Sequence, residues 1–344
     1  MTKSLILLVL LLLTGLFVQA APRPKKVPPK TVVLTFDDAV KTHLTVVAPL
    51  LKQLGFRATF FITQKWMDDP NYFLTWSEVA TIHKMGFEIG NHSWTHSDFG
   101  SAKSGPQLGA ELEQVESELT KVGVPKPISF AWCGNGFGPE AIAQLQARGY
   151  QVARRGMQPE IPYGAVEVGP ALDVKTRHPL LIPTMGDAYP NWTFEHFKKV
   201  LTSAKPGEII VLQFHGVPDE KHPWVNTPKE AFQTNMQYLK QNGYRALALR
   251  DVLQYYDTRF QRDDRGKLII SPTQAVETYW HDVVNDTPSV AGLTNVCERL
   301  MRLPATAADR EFWRQMQAAT PNVAVSEGRI QPAEKVFALV ECAR

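Results

Sequence analysis

The sequence has only three cysteines in 344 residues, which excludes a small scaffold held together by many disulfide bonds. It also has no large excess of one charge, since 37 Lys+Arg against 34 Asp+Glu give a formal net charge of +3. Proteins that bind nucleic acid usually concentrate basic residues on one face, so this balance argues against a nucleic-acid partner. The hydrophobic fraction of 44% and the charged fraction of 21% exclude wholesale disorder and collagen-like structure.

Long apolar runs are lacking too, apart from one near the start of the chain. Residues 5–13 read LILLVLLLL after Lys3, a run shorter than the roughly 20 apolar residues that a membrane-spanning helix needs. A basic start, a short apolar stretch and small residues at Ala20 and Ala21 are typical of a secretory signal peptide cleaved after Ala20. An uncleaved membrane anchor is the alternative. We expect no stable membrane span in the mature chain and a secreted, periplasmic or cell-envelope location.

The segment after the predicted signal peptide is rich in proline and lysine. Residues 21–30, APRPKKVPPK, favour an extended, solvated linker. Export would place the chain in an oxidising compartment, where cysteines can pair. Cys297 and Cys342 lie in the same C-terminal segment and could form a disulfide, which would leave Cys133 unpaired.

Strand and helix patterns alternate through the next part of the chain. Short apolar or β-branched runs predict strands at 31–36, 57–63, 87–90, 128–132, 150–153, 209–214 and 246–249. Apolar residues at helical spacing predict helices at 45–54, 75–84, 108–122 and 139–148. This alternation favours parallel strand pairing with right-handed crossovers, and its length suits a (β/α) barrel or a variant of one.

The C-terminal part of the chain has a different pattern. Helical periodicity dominates residues 256–344, and strand signals are weaker there. We therefore predict four parts: a signal peptide at 1–20, a linker at 21–30, a barrel at 31–255 and a mainly helical extension of unknown role at 256–344.

Two adjacent carboxylates, Asp37 and Asp38, follow the first predicted strand. In parallel barrels the carboxyl ends of the strands form one rim, where functional sites are built. Neighbouring side chains point in different directions, so one carboxylate can bind a metal while the other acts as a base. Taken alone, such a pair more often caps a helix or a turn.

Three histidines complete the candidate site. His92 and His96 are four residues apart, and we expect them on one face of a helical turn, where both imidazoles reach one ion. His215 directly follows the strand at 209–214, and histidine suits proton transfer. Each signal alone is more often structural or accidental. Together, one carboxylate and two imidazoles leave an open position for water, as hydrolytic zinc requires.

The order of these motifs resembles the polysaccharide deacetylases of carbohydrate esterase family 4. The motifs are TFDDA at 35–39, HSWTH at 92–96 and the late strand before His215. The flanking stretches GFRATFF at 55–61 and EIGNH at 88–92 are also similar to that family. The resemblance covers roughly the predicted barrel.

The resemblance implies a distorted (β/α)₇ barrel and metal-dependent hydrolysis of acetyl groups. It implies Asp37 as general base and His215 as general acid. It further implies Asp38, His92 and His96 as ligands of a divalent metal, zinc first, with cobalt, nickel or manganese as alternatives. The expected partner is an acetylated polysaccharide such as peptidoglycan, a chitin-like chain or another glycan.

One motif of the family is altered in this sequence. The third motif usually reads Arg-Pro-Pro-Tyr-Gly, whereas the aligned stretch 131–135 is AWCGN, so the arginine that would hold the base is absent at Ala131. Arg154 or Arg155, just after the next strand, could supply a guanidinium to the same rim. The alternative is a pair of solvent-facing arginines.

Smaller departures concern the first and last motifs. Ala39 stands where glycine is usual, and Gln213 stands where leucine is common, with Leu212 one position earlier. We take Trp132, Gly134 and Leu212 as further candidates for orienting the base or binding the substrate. Trp132 could stack on a sugar ring, since flat aromatic surfaces suit the apolar faces of sugars.

No clear counterpart of the family's tryptophan and aspartate motif is present. Asp173 or Asp187 could orient His215, or both could be simple loop acids.

The leading hypothesis is a secreted carbohydrate N-deacetylase. An O-acetyl esterase acting on xylan-type chains would use the same chemistry. A non-catalytic glycan-binding barrel would need neither Asp37 nor His215, and a metal-free hydrolase of small cyclic amides would not need both His92 and His96.

Overall fold

The computed structural model describes residues 24–256 and five further helical positions, namely Pro272, Ala275, Val276, Tyr279 and Val283. The predicted signal peptide at 1–20, the proposed Cys297–Cys342 pair and nearly all of the predicted C-terminal extension lie outside the described residues. The division into four parts therefore stays a prediction. Tyr279 is buried, and its ring lies edge-on to Phe137 at 4.5 Å.

Eight parallel strands form one sheet within the described residues. They are β1 (Thr31–Phe36), β2 (Thr59–Ile62), β3 (Glu88–Asn91), β4 (Ser129–Ala131), β5 (Val152–Arg154), β6 (Gly186–Asp187), β7 (Ile210–Phe214) and β8 (Arg245–Leu247). Their order is β5-β4-β3-β2-β1-β7-β6, and β8 pairs with the first half of β1. The sheet is a curled half-barrel with helices around it, which confirms the predicted distorted (β/α)₇ barrel.

Six α-helices pack on the sheet. They are α1 (Ala48–Leu54), α2 (Trp76–Lys84), α3 (Leu108–Lys121), α4 (Pro139–Ala147), α5 (Phe194–Ser203) and α6 (Lys229–Gln241). The first four lie where the apolar spacing predicts helices. Local signals fix their ends: Thr75 and Glu78 form a capping box before α2, and Gly55 ends α1 at φ 71°, which glycine adopts without strain. In the described part of the chain, no helix is both long and apolar enough to cross a membrane.

Side chains of the strands alternate between two cores. Leu34 and Leu212 belong to the core beneath the helices, whereas Val33 and Val211 fill the inside of the curled sheet. This period of two decides which polar residues point inward at the ends of the strands. Because the strands are parallel, their carboxyl ends meet at one rim.

Candidate metal centre and active site

A cavity of ≈ 210 Å³ opens at this rim. Its walls include the five residues predicted to carry the chemistry, namely Asp37, Asp38, His92, His96 and His215. They come from loops that follow three different strands, so the folding of the sheet brings together residues far apart in sequence. Their proposed roles stay predictions.

Asp38 lies between the two histidines of the HSWTH motif. Its Oδ1 is 3.5 Å from Nε2 of His92 and 3.5 Å from Nε2 of His96. This oxygen is buried and has no hydrogen-bond partner among the described residues. Zinc–ligand bonds of about 2.0–2.2 Å in tetrahedral geometry hold the ligands about 3.4 Å apart, and both of these distances match that separation.

A backbone carbonyl fixes the ring of His92 on the side away from Asp38. Its Nδ1 lies 2.8 Å from the carbonyl oxygen of Ala131. When Nδ1 carries the proton it donates to this carbonyl, and Nε2 keeps its lone pair toward Asp38. Such a second contact orients a metal-binding imidazole and selects its tautomer.

Cys133 is close to the same ring. One ligand atom each from His92, His96 and Cys133 lies within 4.8 Å of the others, so these three could also hold an ion. The sulfur, however, is 3.5 Å from Nδ1 of His92 and donates to the His92 carbonyl at 3.2 Å. Both Nε2 atoms face Asp38 instead, so the carboxylate is better placed than the sulfur to be the third donor.

The expectation of a helical turn from His92 to His96 is wrong. His92 directly follows β3, and His96 lies in an irregular loop. Left-handed backbone at Ser93 (φ 61°) and His96 (φ 54°) turns the loop so that the two rings converge. Non-glycine residues pay about 1 kcal/mol or more for this conformation, and it is characteristic of functional sites.

Glu111 of α3, a residue that the sequence reasoning missed, holds this loop. Its Oε2 accepts from the backbone N–H groups of Trp94 at 3.1 Å and Thr95 at 3.0 Å. Its Oε1 accepts from the Thr95 hydroxyl at 2.6 Å. The carboxylate therefore fixes the residues immediately before His96.

The predicted base, Asp37, is held by Arg154. Nη2 of Arg154 donates to Oδ2 of Asp37 at 2.5 Å, and both side chains are buried. Nη1 of the same guanidinium donates to the side-chain oxygen of Gln213. The second carboxylate oxygen of Asp37 is buried without a hydrogen-bond partner in the described part of the chain, so it can accept a proton.

The position of Arg154 accounts for the missing arginine of the third motif. Ala131 of β4 and Arg154 of β5 are direct partners in the parallel register. A side chain at Arg154 therefore projects from the neighbouring strand at the same level of the barrel.

Arg155 faces elsewhere. It is 1% exposed, its Nη1 donates to Glu160 at 2.7 Å, and its guanidinium lies 4.7 Å from the ring centre of Tyr279. The alternative of two solvent-facing arginines is therefore wrong for both residues.

His215 lies on the other side of Asp38. Its Nε2 is 3.9 Å from Oδ2 of Asp38, and its Nδ1 is buried without a hydrogen-bond partner among the described residues. Asp187 lines the cavity, and burial raises the pKa of its carboxyl to about 6, although the charge of His215 opposes the shift. Asp173 instead accepts from the Lys175 N–H at 2.9 Å in its own turn. Asp187 is thus a better candidate than Asp173 to orient the imidazole of His215.

A fourth histidine, His222, was not predicted at the site. Its Nδ1 is 3.9 Å from Oδ2 of Asp38 and 3.4 Å from Oδ2 of Asp219. It lies in the loop seven residues after His215, and no motif marks it. Asp38 therefore has two imidazoles near each of its oxygens.

The groups of the cluster shift one another's pKa values. Burial would lower the pKa of His92, but Cys133 and Asp38 outweigh it and raise that pKa well above its usual value. Burial would raise the pKa of Asp38, but the nearby imidazole of His92 and the charges of His96 and His215 outweigh it and hold the pKa well below its usual value. Burial, followed by the charge of His92, lowers the pKa of His96 to about 4. At neutral pH Asp38 is thus a carboxylate and His96 a neutral imidazole with a free lone pair.

The remaining substrate-binding candidates divide between two places. Trp132 and Gly134 line the cavity, and the buried indole of Trp132 donates to the Leu180 carbonyl at 2.8 Å. Leu212 does not fit the expectation, because it is fully buried in the core beneath the helices. Gln213, the next residue, faces the cavity.

Ala39 shows why glycine is usual at its position. Asp38 and Ala39 both have left-handed backbone, with φ of 75° and 54°. Glycine adopts this conformation freely, whereas alanine is strained there.

Sequence comparisons match part of the chain to a known family. Residues 24–153 match the polysaccharide deacetylase family. A chitin deacetylase of Pestalotiopsis sp is 32% identical over 95 residues, covering 27% of this chain and 30% of the relative. The poly-beta-1,6-N-acetyl-D-glucosamine N-deacetylase of Escherichia coli K12 is 31% identical over 91 residues, covering 22% and 13%. The chain spans less than a third of the length of either relative.

Solved structures include similar chains. The chitin deacetylase of Colletotrichum lindemuthianum aligns with 67% of this chain and 92% of its own, at 18% identity and a TM-score of 0.47. The family 4 carbohydrate esterase PdaA of Bacillus subtilis aligns with 70% and 88%, at 23% identity and a TM-score of 0.45. The match of residues 24–153 to the polysaccharide deacetylase family confirms the resemblance seen in the motifs.

Proposed function

We propose that this protein hydrolyses acetyl groups, N-acetyl groups first among them, on a carbohydrate polymer. A divalent cation would be held by Asp38, His92 and His96. The observation that carries the proposal is the approach of two Nε2 atoms to Asp38 Oδ1 at 3.5 Å, next to an Asp37 carboxylate with one free oxygen. We propose zinc first, because a carboxylate with two imidazoles and an open position suits it, with cobalt, nickel or manganese as alternatives.

Bound there, a divalent cation polarises a carbonyl oxygen and lowers the pKa of water. Asp37 takes the proton of the attacking water on its free Oδ1. Arg154 binds the other oxygen, so the carboxylate cannot rotate away from the cavity. This positioning is the contribution that the missing arginine at Ala131 would otherwise make.

His215 completes the reaction as the proton donor. Its side chain is buried except for 12% of its surface and lines the cavity. As the bond between the acetyl carbon and the sugar nitrogen breaks, His215 gives its proton to the nitrogen, which leaves as an amine. The acetyl group, joined to the oxygen of the water, leaves as acetate.

The family match and the names of the relatives support a proposal for the substrate class. The two curated relatives are named for chitin and for poly-beta-1,6-N-acetyl-D-glucosamine, which are both polymers of N-acetylglucosamine. We therefore propose a polymer containing N-acetylglucosamine as the substrate, with chitin-like chains before peptidoglycan.

The site of action is proposed to be outside the cytoplasm or in the cell envelope. The basis is the sequence of residues 1–20, with its basic start, apolar run and small residues. Sequencing the N-terminus of the protein recovered from the cell exterior or periplasm tests this, and we expect it to begin at Ala21.

Acetate release is the test of the activity. The assay compares chitin oligomers, β-1,6-linked N-acetylglucosamine oligomers, peptidoglycan and acetylated xylan. Each substrate is tested with and without a chelator. We expect chelator-sensitive release from the N-acetylglucosamine oligomers. Release from xylan alone would instead show an O-acetyl esterase, and binding of oligomers without any release would show a glycan-binding barrel.

A further inference from the structure

A second, more open groove adjoins the catalytic cavity. It has a volume of ≈ 560 Å³ and lies between the loop after β2, which carries Lys65, and the loop after β7, which carries Lys221. Trp66, His222 and Trp224 line both spaces. The two spaces are therefore neighbouring parts of one surface depression, and a chain-like ligand can occupy both.

Trp224 is unusually exposed for a tryptophan. It is 56% exposed, whereas Val225 beside it is buried. A large apolar side chain left in water at the edge of a cavity is characteristic of a binding surface. An indole offers a flat apolar face, which matches the C–H face of a sugar ring, and its N–H can bond a hydroxyl.

Local contacts hold the loop that carries Trp224. Trp224 lies in a short 3₁₀ turn, Pro223–Val225, and its ring contacts that of His222 at 5.2 Å. A hydrogen bond joins the two ends of this loop: the backbone N–H of Asp219 donates to Oδ1 of Asn226 at 2.7 Å. A preorganised aromatic loses little freedom when a ligand stacks on it.

The charges of the groove balance. Lys65 and Lys221 contribute two positive charges, and Asp68 and Asp69 contribute two negative ones. Lys221 and Asp69 lie 3.4 Å apart. A polyanion would meet as much repulsion as attraction here, whereas a neutral sugar with many hydroxyls finds both donors and acceptors.

We propose that this groove is a saccharide subsite for an uncharged sugar ring next to the one whose acetyl group is removed, with Trp224 as its stacking surface. The inference rests on the proposed deacetylase function and narrows its substrate to neutral oligomers that span both spaces. A single N-acetylglucosamine unit reaches only the cavity and is a poor substrate.

The test compares kcat/KM for N-acetylglucosamine oligomers from the monomer to the pentamer, and for a small aryl acetate. The variants are Trp224→Ala, Trp224→Phe and the control Phe194→Ala, which removes an exposed aromatic that lines neither space. We expect Trp224→Ala to lower kcat/KM on the pentamer about 10-fold and on the aryl acetate less than about twofold. Trp224→Phe should restore most of the loss, and Phe194→Ala should have no effect.

Equal losses on the pentamer and the aryl acetate, or no loss on either, would overturn the subsite. An acetylated polyuronate that depends on Trp224 as strongly as the neutral pentamer would overturn the preference for uncharged chains. If the wild-type protein releases no acetate from any substrate, the proposed function fails by itself. Calorimetric binding of the pentamer then decides the subsite: weaker binding by Trp224→Ala supports it, and unchanged binding contradicts it.

Discussion

Arg154 on β5 donates to Oδ2 of Asp37 at the end of β1, across the inside of the barrel, at 2.5 Å. Both groups are buried and form a direct ion pair. Removing one partner of a buried pair leaves an uncompensated charge, which is strongly unfavourable. This contact therefore sets both the direction of the carboxylate and the cost of altering it.

Replacing Arg154 should disable the proposed base. We expect Arg154→Met to lower kcat about 100-fold or more, because Asp37 loses the group that orients it. Arg154→Lys should recover part of the rate, since it keeps the charge with fewer donors. The matched control is Arg57→Met, which breaks a bidentate pair with Asp251 at the surface and should leave kcat unchanged. Full activity of Arg154→Met would contradict the claim that Arg154 orients the Asp37 carboxylate.

The three proposed ligands should govern metal affinity. We expect Asp38→Asn and His96→Gln each to weaken the binding of zinc by at least about 100-fold, measured by calorimetry on the chelated protein. His83→Gln, which changes a histidine in the last turn of α2, should bind zinc as the wild type does. Unchanged affinity in both ligand variants would place the ion elsewhere.

Glu111 should affect the metal without touching it. Glu111→Gln weakens the acceptor for the Trp94 and Thr95 N–H groups, so His96 is held less firmly. We expect zinc affinity to fall about 10-fold, the range seen for residues that orient ligands. Glu113→Gln, two residues along the same helix and largely exposed, is the control. Equal affinities for the two variants would show that the loop holds its shape without Glu111.

The fold could be predicted because the sequence shows clear strand runs and clear helical spacing of apolar residues. β-branched runs and helical spacing locate most strands and the first four helices to within a few residues. β6 was missed because it has only two residues, too few to show a period. α5 and α6 were also missed, although Thr193 caps α5 and its Phe197, Val200 and Leu201 have helical spacing.

The site was less predictable because it depends on register. The sequence offered both Arg154 and Arg155, and only the pairing of Ala131 with Arg154 shows which one faces Asp37. The period of two also places Gln213, not Leu212, toward the cavity. His222 reaches Asp38 through the folding of a loop, for which the sequence gives no local signal.

His215 should matter most when the leaving group needs a proton. We expect His215→Gln to lower the rate on an N-acetyl oligomer about 100-fold or more, because an amine leaves poorly unless it is protonated. The rate on 4-nitrophenyl acetate should fall far less, because nitrophenolate leaves without a proton. The ratio of the two rates is the measurement, and equal losses on both substrates would argue against a general acid.

The buried Asp187 should make stability depend on pH. Burial raises the pKa of this carboxyl from 3.8 to about 6, so the charged form is disfavoured in the folded state. The contribution of Asp187 to the stability of the folded protein is therefore most favourable below about pH 4, and it is lost as the pH rises through about 6. Asp187→Asn should raise the free energy of unfolding by up to about 3 kcal/mol at pH 8, and by little through this effect at pH 4.

Urea unfolding at the two pH values checks this difference. Glu195→Gln, which changes a largely exposed carboxylate on α5, serves as the control and should show no such pH dependence. An Asp187→Asn variant that is equally stabilised, or not stabilised, at both pH values would contradict the buried charge.

The central claim is that deacetylation needs a divalent cation bound by Asp38, His92 and His96. Its most direct measurement is acetate release from an N-acetylglucosamine pentamer by the same protein sample before chelation, after chelation, and after one equivalent of zinc is returned. We predict that release is lost on chelation and restored by the added zinc. Release that continues undiminished in the metal-free protein would contradict the account.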